Sequence, residues 1–96
     1  MIRRLIVRKA AELLDINDPN KTIYAAMAKK VATELCSGVT DYSLQMHGGY
    51  GYLKEYGIEK YVRDLRVHQI LEGTNEIMRL IISRNLLKEW YILLCK

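Results

Sequence analysis

The chain has no phenylalanine, one proline and two cysteines among its 96 residues. Cys36 and Cys95 are too few and too scattered for a disulfide framework or a zinc site, which fits a reducing compartment. His47 and His68 stand at no metal-ligand spacing to each other or to either cysteine, so no metal centre is expected. No apolar run approaches the roughly 20 residues that a membrane-spanning helix needs. Strand-like alternation is almost absent, and there is no repeat or low-complexity tract. The seven tyrosines that accompany the missing phenylalanine carry no functional inference.

What is present fits a single small domain, with half of the residues hydrophobic and about a quarter charged. A chain this short buries only roughly 60–70% of the surface its unfolded form exposes, a thin margin for a fold standing alone. The net charge is +4, with Arg3, Arg4, Arg8 and Lys9 crowded into the first turns. No aromatic or glycine-rich RNA motif accompanies them, so a solvated helix face is favoured over a nucleic-acid surface. The opening MIRRLIVRKAAELL is basic and amphipathic, as targeting segments are. It lacks serine, includes Glu12 and runs into Asp15, and reads instead as a domain helix.

Periodicity divides the chain into about four helices. Ile2, Leu5, Ile6, Ala10, Leu13 and Leu14 share one helical stripe, which the turn formers of residues 15–20 interrupt. Ile23, Met27, Val31, Leu35, Val39, Tyr42 and Met46 recur every three or four residues and predict a helix from about Lys21 to His47. At ~1.5 Å per residue it would be about 40 Å long, a length that belongs to a bundle. Gly48 and Gly49 end it. After an irregular turn, a shorter helix is expected from about Ile58 to Val67. A last one is expected from a cap at Thr74 or Asn75 to about Lys88 or beyond. The expected fold is an antiparallel, all-α bundle without sheet, with Met27, Val31, Leu35, Ile77 and Ile81 in its core.

The chemistry-bearing residues are sparse. Glu72 precedes a helix N-terminus, where an acidic residue is commonly present for the helix dipole alone. Gly73 is either an ordinary loop glycine or a place where a ligand meets backbone. Thr74, Asn75 and Glu76 open a helix whose free N–H groups attract phosphate, and they also suit a plain cap. Gln45, Met46, His47, Gly48 and Gly49 form a glycine helix stop, without the strand-turn-helix setting of a Rossmann fingerprint. Arg84 looks like any solvated helical arginine, and the Arg63-Asp64 pair like a surface ion pair.

Residues 45–84, reading QMHGGYGYLKEYGIEKYVRDLRVHQILEGTNEIMRLIISR, resemble the C-terminal helical domain of the acyl-CoA dehydrogenases. The resemblance implies an FAD-dependent oxidoreductase that forms the α,β double bond of a short branched-chain acyl-CoA such as isobutyryl-CoA. It makes Glu72, in Glu-Gly-Thr, the catalytic base, since some branches of the family take the base from an earlier helix and have a small residue here. A carboxylate closed off from water becomes a better base for a weakly acidic α-proton, which is the demand this chemistry sets. Gly73 and Arg84 would then contact substrate. Residues 45–49, matching the family's Gln-x-x-Gly-Gly, would contact the FAD of a neighbouring subunit, and Thr74, Asn75 and Glu76 would also touch FAD. Arg63 and Asp64 match a structural pair.

The resemblance further implies a homotetramer that passes electrons to an electron-transfer flavoprotein, in the mitochondrial matrix of a eukaryote or the cytoplasm of a bacterium. The family's N-terminal helical domain and middle β-domain do not fit in 96 residues, so residues 1–96 are expected to be a fragment of the C-terminal domain, inactive alone. Two departures stand out: Gly57 where many relatives have proline, and the apolar tail of residues 90–95. The alternatives are a non-catalytic helical interaction or oligomerisation module and, less favoured, a nucleic-acid binder using the basic first helix.

Overall fold

A computed structural model describes residues 1–95. Four α-helices, α1 (Ile2–Asp15), α2 (Lys21–His47), α3 (Ile58–His68) and α4 (Asn75–Leu94), account for most of it. No strand occurs among the described residues.

Each boundary has a local cause. Asn17 stops α1 by taking a left-handed φ of 53°. The Asp18 N–H then donates to Leu13 O and the Asn17 N–H to Leu14 O, which satisfies the last carbonyls of the helix. Asp18 accepts from the backbone N–H of Asn20 through its side chain and so launches α2. At the far end Gly48 takes φ 61°, and two short 3₁₀ turns, Gly48–Tyr52 and Lys54–Tyr56, reverse the chain. Tyr50 and Tyr56 pack edge to face across this reversal, with ring centroids 5.8 Å apart. Gly57 opens α3 at φ 74°, a conformation closed to proline. The Thr74 hydroxyl caps α4 by accepting from the Ile77 N–H at 3.3 Å.

Helix α2 is the spine. Helices α1, α3 and α4 each pack on it, and no two of those three come into backbone contact with one another. Arg3 meets Cys36 while the 16–20 turn joins the other ends, so α1 lies antiparallel along the first part of α2. His68 shares a cavity with Thr33 and Lys29, which shows α3 folding back from the far end of α2. Met78 and Ile81 line a groove with Ala25 and Thr22, so α4 runs on toward the start of α2.

The core is therefore thinner than the periodicity predicts. The buried apolar residues are Ala10, Leu13, Ile23, Ala26 and Ala28. Of the five residues expected in the core, Met27, Val31 and Ile81 are half-buried, while Leu35 and Ile77 remain 48% and 47% exposed. At Leu35 the reason is length, since α2 has 27 residues and α1 14, so that only the first residues of α1 come near it; Ile77 lies on α4, which packs on α2 alone. Beyond Leu35 the same stripe stays open at Val39, Tyr42 and Met46. The apolar tail continues α4 as helix to Leu94, with Trp90, Tyr91, Ile92, Leu93 and Leu94 all exposed.

These open faces have a measurable size. A compact monomer of this mass would expose about 5,700 Å², whereas the chain exposes 7728 Å². Its radius of gyration is 17.1 Å, against about 12.5 Å for a compact chain of this length.

The glycine turn gives a test of the packing. A Cβ on buried Gly51 would lie 2.8 Å from the Leu44 carbonyl oxygen, a backbone atom that cannot swing aside. A Cβ on Gly49 would meet nothing within 4 Å. Gly51→Ala is expected to lower stability by about 1–3 kcal/mol, and Gly49→Ala to stay within about 0.5 kcal/mol of the parent. Urea unfolding measures both, and equal midpoints for the two variants would contradict the fold at this turn.

Candidate active site

The loop between α3 and α4 holds the most unusual backbone of the chain. Glu72 has φ 57° and Gly73 has φ 91°, two left-handed residues in succession. Glycine adopts that conformation freely, but a glutamate there is strained by about 1–2 kcal/mol. The Glu72 side chain is exposed and lies where two grooves meet. One groove, about 380 Å³, is lined mainly by apolar groups including Ala25, Ala26, Met78 and Ile81. The other, about 240 Å³, is lined by Lys29, Thr33, His68 and Leu71 as well as Glu72. A carboxylate at such a meeting point is placed to reach a ligand lying in either groove.

The loop is fastened to α2 by a polar knot. Asn75 is 3% exposed and is the buried polar residue of the described chain. Its amide donates to the Thr33 hydroxyl at 3.0 Å and, at 3.5 Å, to the Glu34 carboxylate. Lys29 donates to Asn75 Oδ1 and to the Gly73 carbonyl, both at 2.7 Å. Glu34 in turn pairs with Arg79 of α4 and with Lys30. The Asn75 N–H closes the loop on itself by donating to Gln69 O at 3.0 Å. No buried side-chain nitrogen or oxygen lacks a partner among the described residues.

Sequence reasoning gave no role to Lys29, Thr33 or Glu34. Their one-turn spacing on α2 is visible in the sequence, but their partners lie more than 40 residues away. The choice left open at the cap is settled by this knot. Thr74 supplies the cap, while Asn75 turns inward to α2. Glu76 stays exposed, and its carboxyl is held below the usual range, chiefly by its own backbone N–H, which outweighs the opposing effect of desolvation with help from the Thr74 hydroxyl, Arg79 and Arg66.

The second group of candidates sits elsewhere. Gln45, Met46, His47, Gly48 and Gly49 are all exposed at the far end of α2. His47 Nδ1 is 2.7 Å from the Ser43 carbonyl, which fixes the ring against the helix. Leu44, Gln45, Gly48, Gly49 and Tyr52 line a cavity of about 290 Å³ there. Lys29 and Gln45 are 16 positions apart on one helix, about 24 Å along its axis, so the fold does not bring these residues to Glu72 within one chain. Arg84, exposed on α4, makes no ion pair among the described residues. Arg63 and Asp64 pair with Glu59 and Lys60, one turn back along α3, rather than with each other. Such exposed pairs contribute little.

The family described as acyl-CoA dehydrogenase, C-terminal domain, matches residues 2–87. Mitochondrial isobutyryl-CoA dehydrogenase of Dictyostelium discoideum is 58% identical over 90% of this chain, and that of Bos taurus 54% identical over the same share. In each case the chain spans 21% of the relative's length. The structure of butyryl-CoA dehydrogenase from Megasphaera elsdenii superposes with a TM-score of 0.85 at 38% identity, covering 90% of this chain and 22% of that one. The tail from Lys88 onward lies outside the matched residues. The chain belongs to the acyl-CoA dehydrogenase family, within its C-terminal helical domain.

Proposed function

We propose that these residues are part of a flavin-dependent acyl-CoA dehydrogenase acting on a short branched-chain acyl-CoA, with Glu72 as the base. The observation that carries this reading is the Glu72 loop. A charged residue is held in a strained conformation, at the meeting of two largely apolar grooves, by a knot whose buried members are all satisfied. Strain of that kind persists only where the surroundings over-determine it, and it concentrates at functional sites. High identity to isobutyryl-CoA dehydrogenases supports the substrate class.

In this reading an acyl thioester lies along the groove with its α-carbon facing the Glu72 carboxylate, which removes the α-proton. Gly73 presents no side chain on the ligand side and lets the thioester approach the backbone. Arg84, about 13 Å along α4 from its start, would meet a more distant part of the substrate. FAD supplies the acceptor for the hydride that leaves the neighbouring carbon.

The glycine end of α2 fits a dinucleotide. Open space lies above both Gly48 and Gly49, and the adjoining cavity is lined by Gln45. Gln45, Met46, His47, Gly48 and Gly49 would contact the FAD of a neighbouring subunit, since they stand far from this chain's Glu72. Thr74 and Glu76 would touch FAD at the α4 N-terminus. Asn75, already bonded to α2, would contribute by holding that terminus in place. The assembly is then a homotetramer delivering electrons to an electron-transfer flavoprotein, in the mitochondrial matrix or, for a bacterial chain, the cytoplasm.

A second reading, a helical module that associates without catalysis, is favoured by one observation. The roughly 2,000 Å² of exposed surface beyond that of a compact monomer is the size of a stable interface. For the 96 residues alone, that surface is expected to drive self-association, with FAD bound weakly or not at all and no dehydrogenase activity. Sedimentation and flavin fluorescence titration would show this. A monomer binding FAD at micromolar concentration and turning over isobutyryl-CoA would refute it.

In a complete enzyme carrying this segment, Glu72→Gln should slow flavin reduction at saturating acyl-CoA by about 10²–10⁴-fold, the range for loss of a general base. Glu72→Gly should be equally slow yet keep or raise stability by up to about 1 kcal/mol, because glycine relieves the left-handed strain. A Glu72→Gln enzyme reducing its flavin within a few-fold of the parent rate in stopped flow would remove Glu72 as the base.

A further inference from the structure

We propose that Lys29, far from the loop in sequence, is the positioning residue that aims Glu72, an inference that rests on the reading of Glu72 as the base. Its ammonium reaches across from α2 and grips the loop on both sides of Thr74: the Gly73 carbonyl before it and the Asn75 side chain after it, each at 2.7 Å. Gly73, at φ 91°, is the freest joint in the loop, and Glu72 is attached directly to it. Rotation at Gly73 would swing its carbonyl away and carry the Glu72 side chain out of the line where the grooves meet. The Lys29 bond opposes that rotation.

The rest of the knot makes this grip specific. Asn75 is fixed by Thr33 and Glu34, so its Oδ1 is an immobile second anchor for the ammonium. Lys29 forms no ion pair with a carboxylate within 4.0 Å among the described residues. Its charge is spent on two neutral oxygens, although it lines both grooves beside Glu72. The Glu72 carboxylate is therefore held nearby without being tied up in a salt bridge. A lysine suits the task because its apolar stem crosses the groove wall while the head offers three donors.

Two measurements test this. In the 96-residue chain, Lys29→Met keeps the stem and removes the donors. Hydrogen exchange at the Asn75 and Ile77 amides should quicken by about 10-fold or more, the scale of a lost charge-assisted hydrogen bond. Amides of α1 and the centre of α2 should stay within about 2-fold, and Lys29→Arg should restore much of the loop protection. In a complete enzyme carrying this segment, Lys29→Met should lower the limiting rate of flavin reduction by about 10–100-fold, as small misplacement of a reacting group does. Acyl-CoA affinity should be nearly unchanged, and Lys29→Arg should recover the rate. A role confined to stability would lower yield and melting temperature and leave the rate per bound flavin intact. Should Lys29→Met fail to fold, Lys29→Gln, too short to reach the Gly73 carbonyl, takes its place with the same readouts.

Unchanged exchange at the loop would overturn the proposal. So would a parent-like reduction rate in Lys29→Met where Glu72→Gln is slow, which removes Lys29 and leaves the base standing. If Glu72→Gln itself reduces flavin normally, the base falls and the positioning role falls with it.

Discussion

Asn75 and the three α2 residues around it decide where everything else in the second half of the chain can lie. An amide withdrawn from water costs about 1–3 kcal/mol if left unpaired, so the α4 N-terminus has only one low-energy seat. That seat is beside Lys29, Thr33 and Glu34. Seating it there sets the height of α4 on the spine. It also fixes the length of loop available after α3 and brings Gly73 under the Lys29 ammonium. The left-handed pair at residues 72 and 73 is the result of closing a short loop onto that fixed point.

The spine arrangement explains how a chain that is half hydrophobic has so small a core. A closed bundle buries each apolar stripe against two neighbours. Here α1 and α4 each have only α2, and α3 has α2 and the two short 3₁₀ turns. Alanines fill the contact positions at Ala10, Ala26 and Ala28, where small side chains let the helix axes come close, and larger residues flanking them remain open. The unfilled flanks are the surfaces that further domains or other copies would cover in the proposed enzyme.

Much of this was legible in the sequence, because helices announce themselves by period and punctuation. The limits of α2 at Lys21 and His47 follow from the turn formers of residues 15–20, where Asp18 accepts from the Asn20 N–H, on one side and Gly48 and Gly49 on the other. The long α4 reaches Leu94 because nothing in the apolar tail breaks it. The core was less legible, since a stripe from Ile23 to Met46 shows which face is apolar and not how far a partner extends along it. Glu72 and Gly73 stood out by their wording, but the strain at Glu72 could not be read, since glutamate has no preference for a positive φ. The knot was illegible for a different reason. Lys29, Thr33 and Glu34 are ordinary polar residues until Asn75 arrives from the other side of the fold.

The strain at Glu72 also bears on why the site is built in this way. A glycine at this position would satisfy the loop better by about 1 kcal/mol, as Gly73 does beside it at φ 91°. Keeping a carboxylate there costs stability in a chain that has little to spare. Part of that cost is offset within the loop, where Thr74 caps α4 and the Gln69 carbonyl accepts from the Asn75 N–H. The rest is offset on α2, where a lysine, a threonine and a glutamate hold the start of the next helix beside the strained residue. In the proposed enzyme, stability and function are thus divided between a helix and a loop: α2 holds the loop in place, and the loop would carry the chemistry.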